Sequence, residues 1–174
     1  MTGTALYDAS VPLFRKGMVT IKGVLEKAVT HYGDKASEIP NATLIEDMRP
    51  LSLHVQMCSN IAKKTLFRLG GIQSEVWEDK EDTVEKLIQR CDKTIELLDS
   101  VKPEQLNGHE EDRADFNVAN KIEMKFNAKD SLFNFSIPFF FFHATLTYSI
   151  LRKEGVPLGF KDFLDPYIGP HVSQ

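Results

Sequence analysis

The twenty-one residues from Ser131 to Leu151 contain no Asp, Glu, Lys or Arg. A helix of that length could cross a lipid bilayer. Polar side chains are costly in lipid, however, and they interrupt the segment together with one proline: Asn134, Ser136, Pro138, His143, Thr145, Thr147, Tyr148 and Ser149. We therefore predict the central helix of a helical bundle, wetted on one side by a cavity, and no membrane-spanning segment.

Apolar residues recur with the helical period in four segments. The first predicted helix begins near Ser10 or Val11 and ends around residues 31–33, and the second covers residues 50–69. The third begins between residues 79 and 83 and ends before Pro103, and the fourth covers residues 129–153. Four amphipathic helices are typical of an antiparallel bundle, so we predict one all-α domain over residues 1–174.

The segment before the fourth helix departs from this pattern. Apolar and polar residues alternate in two short runs, 116–118 and 122–126, which predict a β-hairpin with Asn120 and Lys121 at its turn. Inside the fourth helix, Pro138 is expected to cause a kink or a local bulge, because proline donates no backbone hydrogen bond. The tail, residues 156–174, is rich in Gly and Pro and is predicted to be irregular.

Charge and cysteine usage narrow the class of protein. The net charge of −4 and the pI near 5.7 give no electrostatic footprint for nucleic acid or for an anionic membrane surface. Cys58 and Cys91 fall inside predicted helices without metal-ligand spacing, which favours two reduced thiols in the core. The N-terminal segment does not have the pattern of a signal peptide. We therefore expect a cytoplasmic protein with no nucleic acid and no membrane as partner.

Two histidines are candidates for chemistry. His54 lies on or beside the buried face of the second predicted helix, and His143 shares one face of the fourth with Phe139, Leu146 and Ile150. Two imidazoles that point inward from different helices could meet in a central cavity. The alternative is that each is a neutral core histidine, hydrogen-bonded to a backbone carbonyl or a hydroxyl.

Four consecutive phenylalanines, residues 139–142, cover most of one helical turn. They suit plain core and subunit-interface packing. They also suit an aromatic wall for a planar apolar ligand, because small-molecule sites are mostly apolar with few polar groups. Motifs for phosphate binding, serine hydrolysis and zinc peptidases are absent from the sequence, so the two histidines remain the leading candidates.

Several segments resemble an uncharacterised bacterial and fungal family of the DinB/YfiT-like superfamily of four-helix bundles: LYDASVP (6–12), NATLIEDMRPL (41–51), FFFHATLTYSILRKEGVPLG (140–159) and KDFL (161–164). The resemblance covers nearly the whole chain in order, and it implies this fold and a homodimer. Better-known members of the superfamily hold a divalent metal with three histidines, one from the second helix and an H-x-x-x-H pair from the fourth. Several act as hydrolases, or as thiol-dependent transferases or isomerases.

By position, His54 matches the second-helix ligand and His143 the later member of the pair, but Phe139 stands where the earlier member would be. A catalytic metal usually keeps three protein ligands, so we expect no metal and no other cofactor. A residual site would need His54, His143 and a carboxylate, for which Asp47 and Asp130 are the candidates.

The leading hypothesis is a cofactor-independent isomerase or cyclase for a planar aromatic or polyketide-like small molecule. Fungal members of the resembling family look like accessory enzymes of secondary metabolism, which favours such a substrate. His54 and His143 would be the catalytic acid–base pair, because an ordinary pKa of ~6.5 suits proton transfer at neutral pH. The predicted substrate-binding residues are Asp47, Met57, Phe139, Phe140, Thr147 and Tyr148. Two alternatives stay open, a metal-dependent hydrolase or thiol transferase and a non-catalytic small-molecule-binding dimer.

Overall fold

The computed structural model describes residues 5–118 and 121–171. Its helices and strands follow in this order: α1 (Leu6–Tyr32), α2 (Leu51–Gly70), α3 (Val84–Asp99), β1 (Phe116–Val118), β2 (Ile122–Met124), α4 (Ala128–Ser131), α5 (Ile137–Lys153) and α6 (Phe160–Ile168). A π-helical turn, Leu132–Ser136, joins α4 to α5, so the three segments form one continuous fourth long helix over residues 128–153. The predicted antiparallel four-helix bundle is confirmed.

The four long helices enclose one apolar core. The helix α1 packs against α3, and α2 packs against α5, while α1 also contacts α5 and α6. Fully buried side chains from each long helix meet in the centre, among them Phe14, Leu66, Leu87 and Phe140. Among the described residues, no helix is long and apolar enough to cross a membrane. The contact between α2 and α5 matters most below, because it carries both candidate histidines.

The predicted hairpin before the last long helix is confirmed. Its two strands are antiparallel, with Phe116 opposite Met124 and Val118 opposite Ile122. Of the predicted turn residues, Asn120 lies outside the described part of the chain, and the backbone N–H of Lys121 donates to the carbonyl of Val118 at 3.1 Å. The hairpin places Phe116 and its neighbours beside α2 and the fourth long helix.

Pro138 has the local effect that its missing N–H predicts. The preceding turn, Leu132–Ser136, is π-helical, with Pro138 in the first turn of α5. A proline leaves one carbonyl of an α-helix without its donor, and a π bulge is one way in which a helix accommodates this. The helix therefore continues through the proline with a bulge, and the side chains of Phe135 and Phe139 both reach the same groove.

Three segments differ from the predictions. The first helix begins at Leu6, so Pro12 lies in its second turn and not in its first. A 3₁₀ helix, Gly33–Asn41, occupies part of the connector that follows α1. The tail predicted to be irregular contains α6, whose first turn is stabilised by Asp162, since its carboxylate accepts the backbone N–H of Gly159 at 2.7 Å.

Candidate functional site

His54 and His143 meet inside the bundle. His54 lies in the first turn of α2 and His143 in the second turn of α5, and their side chains are 3% and 5% exposed. The two Nδ1 atoms are 2.8 Å apart, a hydrogen-bond distance. The ring centroids lie 5.1 Å apart with an interplanar angle of 39°. The packing of α2 on α5 thus brings together the two imidazoles that the sequence singled out.

A second contact of His54 determines where the protons lie. Its Nε2 is 3.2 Å from the carbonyl oxygen of Arg49, and a carbonyl can only accept, so Nε2 carries the hydrogen. In the neutral ring Nδ1 is then bare, and it accepts the Nδ1–H of His143. The Nε2 of neutral His143 is therefore unprotonated. This atom is buried and has no hydrogen-bond partner among residues 5–118 and 121–171.

Burial keeps both rings neutral. Desolvation, and to a lesser extent the neighbouring His54, lowers the pKa of His143 to about 4, below the ordinary value on which its predicted acid–base role rested. Desolvation also lowers the pKa of His54, although its hydrogen bond to the Arg49 carbonyl partly opposes that shift. At neutral pH the pair therefore holds an available lone pair at Nε2 of His143, which can accept a proton or a hydrogen bond.

Two aromatic rings contact the imidazole of His143. The ring of Phe139 lies 4.7 Å from that of His143, and Phe142 meets the same imidazole edge-on at 5.2 Å. Phe139 occupies the position one turn before His143 where the resembling superfamily places a histidine. Two phenylalanine rings therefore pack against the imidazole of His143.

A groove of about 340 Å³ runs beside the histidine pair, between α2, the fourth long helix and β1. Its lining combines three aromatic rings with cations and amides: Met57, Asn60, Ile61, Lys64, Arg68, Phe116, Asn117, Val118, Phe135 and Phe139. Met57 follows His54 by three residues on α2, and Phe139 precedes His143 by four on α5. The pair therefore lies about one helical turn, ~5 Å, beyond the end of the groove.

Two of the predicted substrate-binding residues, Met57 and Phe139, line this groove. The structure places the others elsewhere. Asp47 is exposed in the connector before α2, and Phe140 is fully buried against Phe14 on the far side of the helix, with ring centroids 5.0 Å apart. Tyr148 packs against α6.

The hydroxyl of Thr147 does not donate a hydrogen bond to either imidazole. It donates to the backbone carbonyl of His143 at 3.1 Å, one turn earlier in the same helix. Tyr148 contacts the ring of Phe163 edge-on, at 5.9 Å between centroids. These two residues hold the helix and its packing, and they lie apart from the groove.

The groove is also lined by residues that the sequence patterns did not predict, among them Lys64, Arg68, Phe116 and Phe135. One signal was present on α2, where His54, Met57, Ile61, Lys64 and Arg68 recur at intervals of three and four residues. That spacing places all five residues on one face of α2. The pattern of apolar residues alone does not reveal this face, because it assigns some of the five to the core and others to the surface. For Phe116 and Phe135 the sequence holds no such signal, since they meet only through tertiary packing.

Comparison with known proteins gives a family but no activity. Residues 6–164 match the family described as a domain of unknown function, DUF1993. The chain belongs to this family. A DinB family member protein from Shewanella denitrificans, solved by crystallography, is similar to the DUF1993 chain with a TM-score of 0.81 and 26% sequence identity over 91% of each chain. No curated protein matches this chain. The chain therefore has a DinB-like fold.

The metal site of the DinB-like superfamily does not fit the donors of this DUF1993 domain. The two imidazoles hydrogen-bond to each other through Nδ1 at 2.8 Å, and a zinc site needs three or four protein ligands. Among the described residues, no group of three His, Cys, Asp or Glu side chains could hold a metal. Asp47 and Asp130, the carboxylates considered above, are both exposed. Phe139 leaves the third ligand position apolar.

Proposed function

We propose that this domain is a cofactor-independent isomerase or cyclase for a planar aromatic, polyketide-like small molecule. The substrate lies in the groove between α2 and the fourth long helix. His54 and His143 act together as the acid–base group at its end. The single observation that carries the proposal is the buried, unpartnered Nε2 of His143, whose ring packs against Phe139, a lining residue of the groove.

The histidine pair suits the removal of a proton from a carbon next to a carbonyl. In such a step the Nε2 lone pair of His143 takes the proton, the C–H bonding electrons move into the carbonyl, and an enolate forms. His143 then passes its Nδ1 proton to Nδ1 of His54, 2.8 Å away. The Arg49 carbonyl at Nε2 of His54 stabilises the resulting positive charge. Return of the proton to another atom of the substrate completes an isomerisation.

The groove suits the rest of such a substrate. Phe116, Phe135 and Phe139 present aromatic rings to it, with Phe135 and Phe139 5.2 Å apart. Aromatic side chains favour offset stacked or edge-to-face contacts with a planar ring system. A volume of about 340 Å³ lies at the small end of the usual range for ligand sites. The ring of Phe139 lies between the groove and His143, so a productive substrate displaces it.

Proton exchange into an aromatic ketone tests the proposal directly. Tetralone has exchangeable hydrogens next to its carbonyl, and their replacement by deuterium in heavy water is followed by NMR. In the presence of a chelator, we expect the protein to accelerate exchange, by up to the ~10²–10⁴-fold typical of general acid–base catalysis. His143→Ala should abolish the acceleration. His109→Ala is the matched control, because His109 is exposed and bonded to Asp112. No acceleration, or equal acceleration by His143→Ala, would contradict the proposal.

A second candidate function is binding without catalysis. It is favoured by the low exposure of the two imidazoles, 3% and 5%, and by their mutual hydrogen bond. In that case tetralone binds in the groove and is recovered without deuterium. A metal-dependent hydrolase or thiol transferase is not proposed, because the donor set around His54 and His143 does not fit a metal.

The assembly and location of the protein remain predictions. We propose a homodimer, as the sequence resemblance implies, and a cytoplasmic location. Light scattering coupled to size-exclusion chromatography measures the mass in solution, for which a value near twice 19.7 kDa is expected.

A further inference from the structure

Arg68 is one of two cations that line the groove, and its surroundings are unusual. It lies in the last turn of α2, with its guanidinium carbon 3.6 Å from the ring centroid of Phe116 and 5.3 Å from that of Phe135. Stacking on aromatic rings occupies the faces of a guanidinium and leaves its N–H groups at the edges. Those edges are therefore free to bind an acceptor that lies in the same plane.

No acceptor is found for one of those edges within the described part of the chain. The Nη1 atom of Arg68 is buried and has no hydrogen-bond partner among residues 5–118 and 121–171. The ion pairs between those residues do not include Arg68 either. Burial lowers the pKa of this guanidinium to about 10, so it stays charged at neutral pH. A buried charge without a partner is costly.

Arg90 of α3, which is buried, shows how this fold compensates an arginine charge. Arg90 has a side chain that is 2% exposed, and it pairs with Asp79 and with Glu81 at 2.8 Å each. Its Nε also donates to the hydroxyl of Ser59 at 3.0 Å. Where this fold buries an arginine for structural reasons, it supplies carboxylates. Around Arg68 it supplies aromatic rings and an opening.

The charge of the groove has the opposite sign from that of the whole chain. Its lining contains two cations, Arg68 and Lys64, and no Asp or Glu, in a chain whose net charge is −4. Lys64 precedes Arg68 by four residues on one helix face, a spacing at which like charges repel. An anion between the two would relieve that repulsion. The amide of Asn117 adds a further hydrogen-bonding group, whereas the amide of Asn60 already bonds to Asp79 and Arg90.

We propose that Arg68 and Lys64 form an anion subsite that binds the carboxylate of a planar aromatic acid. The aromatic body lies against Phe116, Phe135 and Phe139, and the carboxylate accepts hydrogen bonds from the guanidinium edge of Arg68. This inference rests on the proposed function, since it names the substrate class of the same groove. It places the acidic end of the substrate near the C-terminal end of α2 and the opposite end near His143.

Binding of two matched probes by calorimetry tests the subsite. Naphthoate carries a carboxylate on a planar aromatic body, and naphthamide is its neutral counterpart of nearly the same shape. We expect the wild-type protein to bind naphthoate at least tenfold more tightly than naphthamide, with a difference that shrinks as salt is added. Arg68→Gln should remove most of that difference and change naphthamide affinity less than twofold.

Two further variants make the test independent of folding defects. Arg15→Gln removes the same charge from an exposed ion pair with Asp99, remote in sequence from the groove residues, and should leave both affinities unchanged. Lys64→Gln alters an exposed residue and should weaken naphthoate binding selectively even if Arg68→Gln does not fold. The subsite would be overturned if the wild-type protein bound both probes with equal affinity, or if the variants lost equal affinity for both. Either result would still agree with an aromatic ligand in the groove. If neither probe binds, the proposed function itself is contradicted, and the subsite with it.

Discussion

The Nδ1 atoms of His54 and His143 lie 2.8 Å apart, and this contact assigns complementary protonation states to the two rings. Because His54 also donates from Nε2 to the Arg49 carbonyl, the shared proton belongs to His143. The Nε2 of His143 is left bare and buried, with no partner among the described residues. Such a nitrogen is a structural cost unless something binds to it. That cost is the physical basis of the predictions below that concern the pair.

The hydrogen bond between the two histidines should be measurable as a coupling free energy. His54→Ala leaves the buried Nδ1–H of His143 without an acceptor, so we expect a loss of about 1–3 kcal/mol in the free energy of unfolding. A double-mutant cycle with His143→Ala, read from urea unfolding, should give a coupling of about 0.5–1.5 kcal/mol. Additive losses within error would show that the two rings do not share a proton.

Stability should fall as the pH decreases because His143 is held neutral. Its pKa is lowered to about 4 in the folded protein, against 6.5 ordinarily. Between these values the unfolded chain takes up a proton that the folded protein does not, so the stabilisation is present above about pH 6.5 and is lost towards pH 4. The contribution is at most about 3 kcal/mol.

The comparison of wild type with His143→Gln isolates this effect from the carboxylates, which also titrate at low pH. Urea unfolding at several pH values should give a smaller pH dependence for the variant than for the wild type between pH 4 and pH 6.5. Parallel curves for the two proteins would mean that His143 titrates normally in the folded state.

Because Phe140 packs against α1, the same Gly→Ala substitution should have opposite effects on stability at two glycines of this helix. A Cβ on Gly17 would lie 2.7 Å from Cζ of Phe140 and closer still to Cε1. Gly17→Ala should therefore cost about 1–3 kcal/mol through overpacking. At Gly23 an added Cβ meets nothing within 4 Å, so Gly23→Ala should stabilise the protein by about 0.5–1 kcal/mol. Thermal or urea unfolding measures both, and equal effects would contradict this packing.

Phe139 occupies the position of the third metal ligand, so the histidine pair lacks a complete ligand set. A substitution at this position should create a metal site. Phe139→His places an imidazole one turn before His143, at a ring that already lies 4.7 Å from it. We expect the variant to retain about one equivalent of zinc or nickel after dialysis, measured by elemental analysis, and the wild type to retain none. Phe142→His, an exposed neighbour in the same run, is the control. Stoichiometric metal in the wild type would contradict the donor arrangement described above.

Much of the fold follows from patterns that are local in sequence. The apolar period of residues 50–69 and 129–153 predicted two helices, and it also placed His54 and His143 on their buried faces. Alternation around Phe116 predicted the hairpin in the same way. That the two imidazoles meet depends on how α2 packs against α5, which the local patterns allowed but did not determine.

The parts that escaped prediction depend on distant contacts or on weak local signals. The helix α6 begins after Gly159 and contains Pro166, so its composition looks like that of a loop. It is held in place by Thr20, whose hydroxyl donates to the carbonyl of Phe163 at 3.0 Å. Arg68 looks like a solvated charge at a helix end, and tertiary packing places Phe116 over it and leaves it half-buried.

The nitrogen NMR spectrum of the two histidines tests the central claim most directly. With ¹⁵N-labelled protein near pH 7 and His54→Ala used for assignment, we predict a protonated, pyrrole-type Nδ1 and a bare, pyridine-type Nε2 for His143. His54 should show the reverse arrangement. A protonated Nε2 on His143, in a neutral or a charged ring, would contradict the account, because the groove would then have no base at its end.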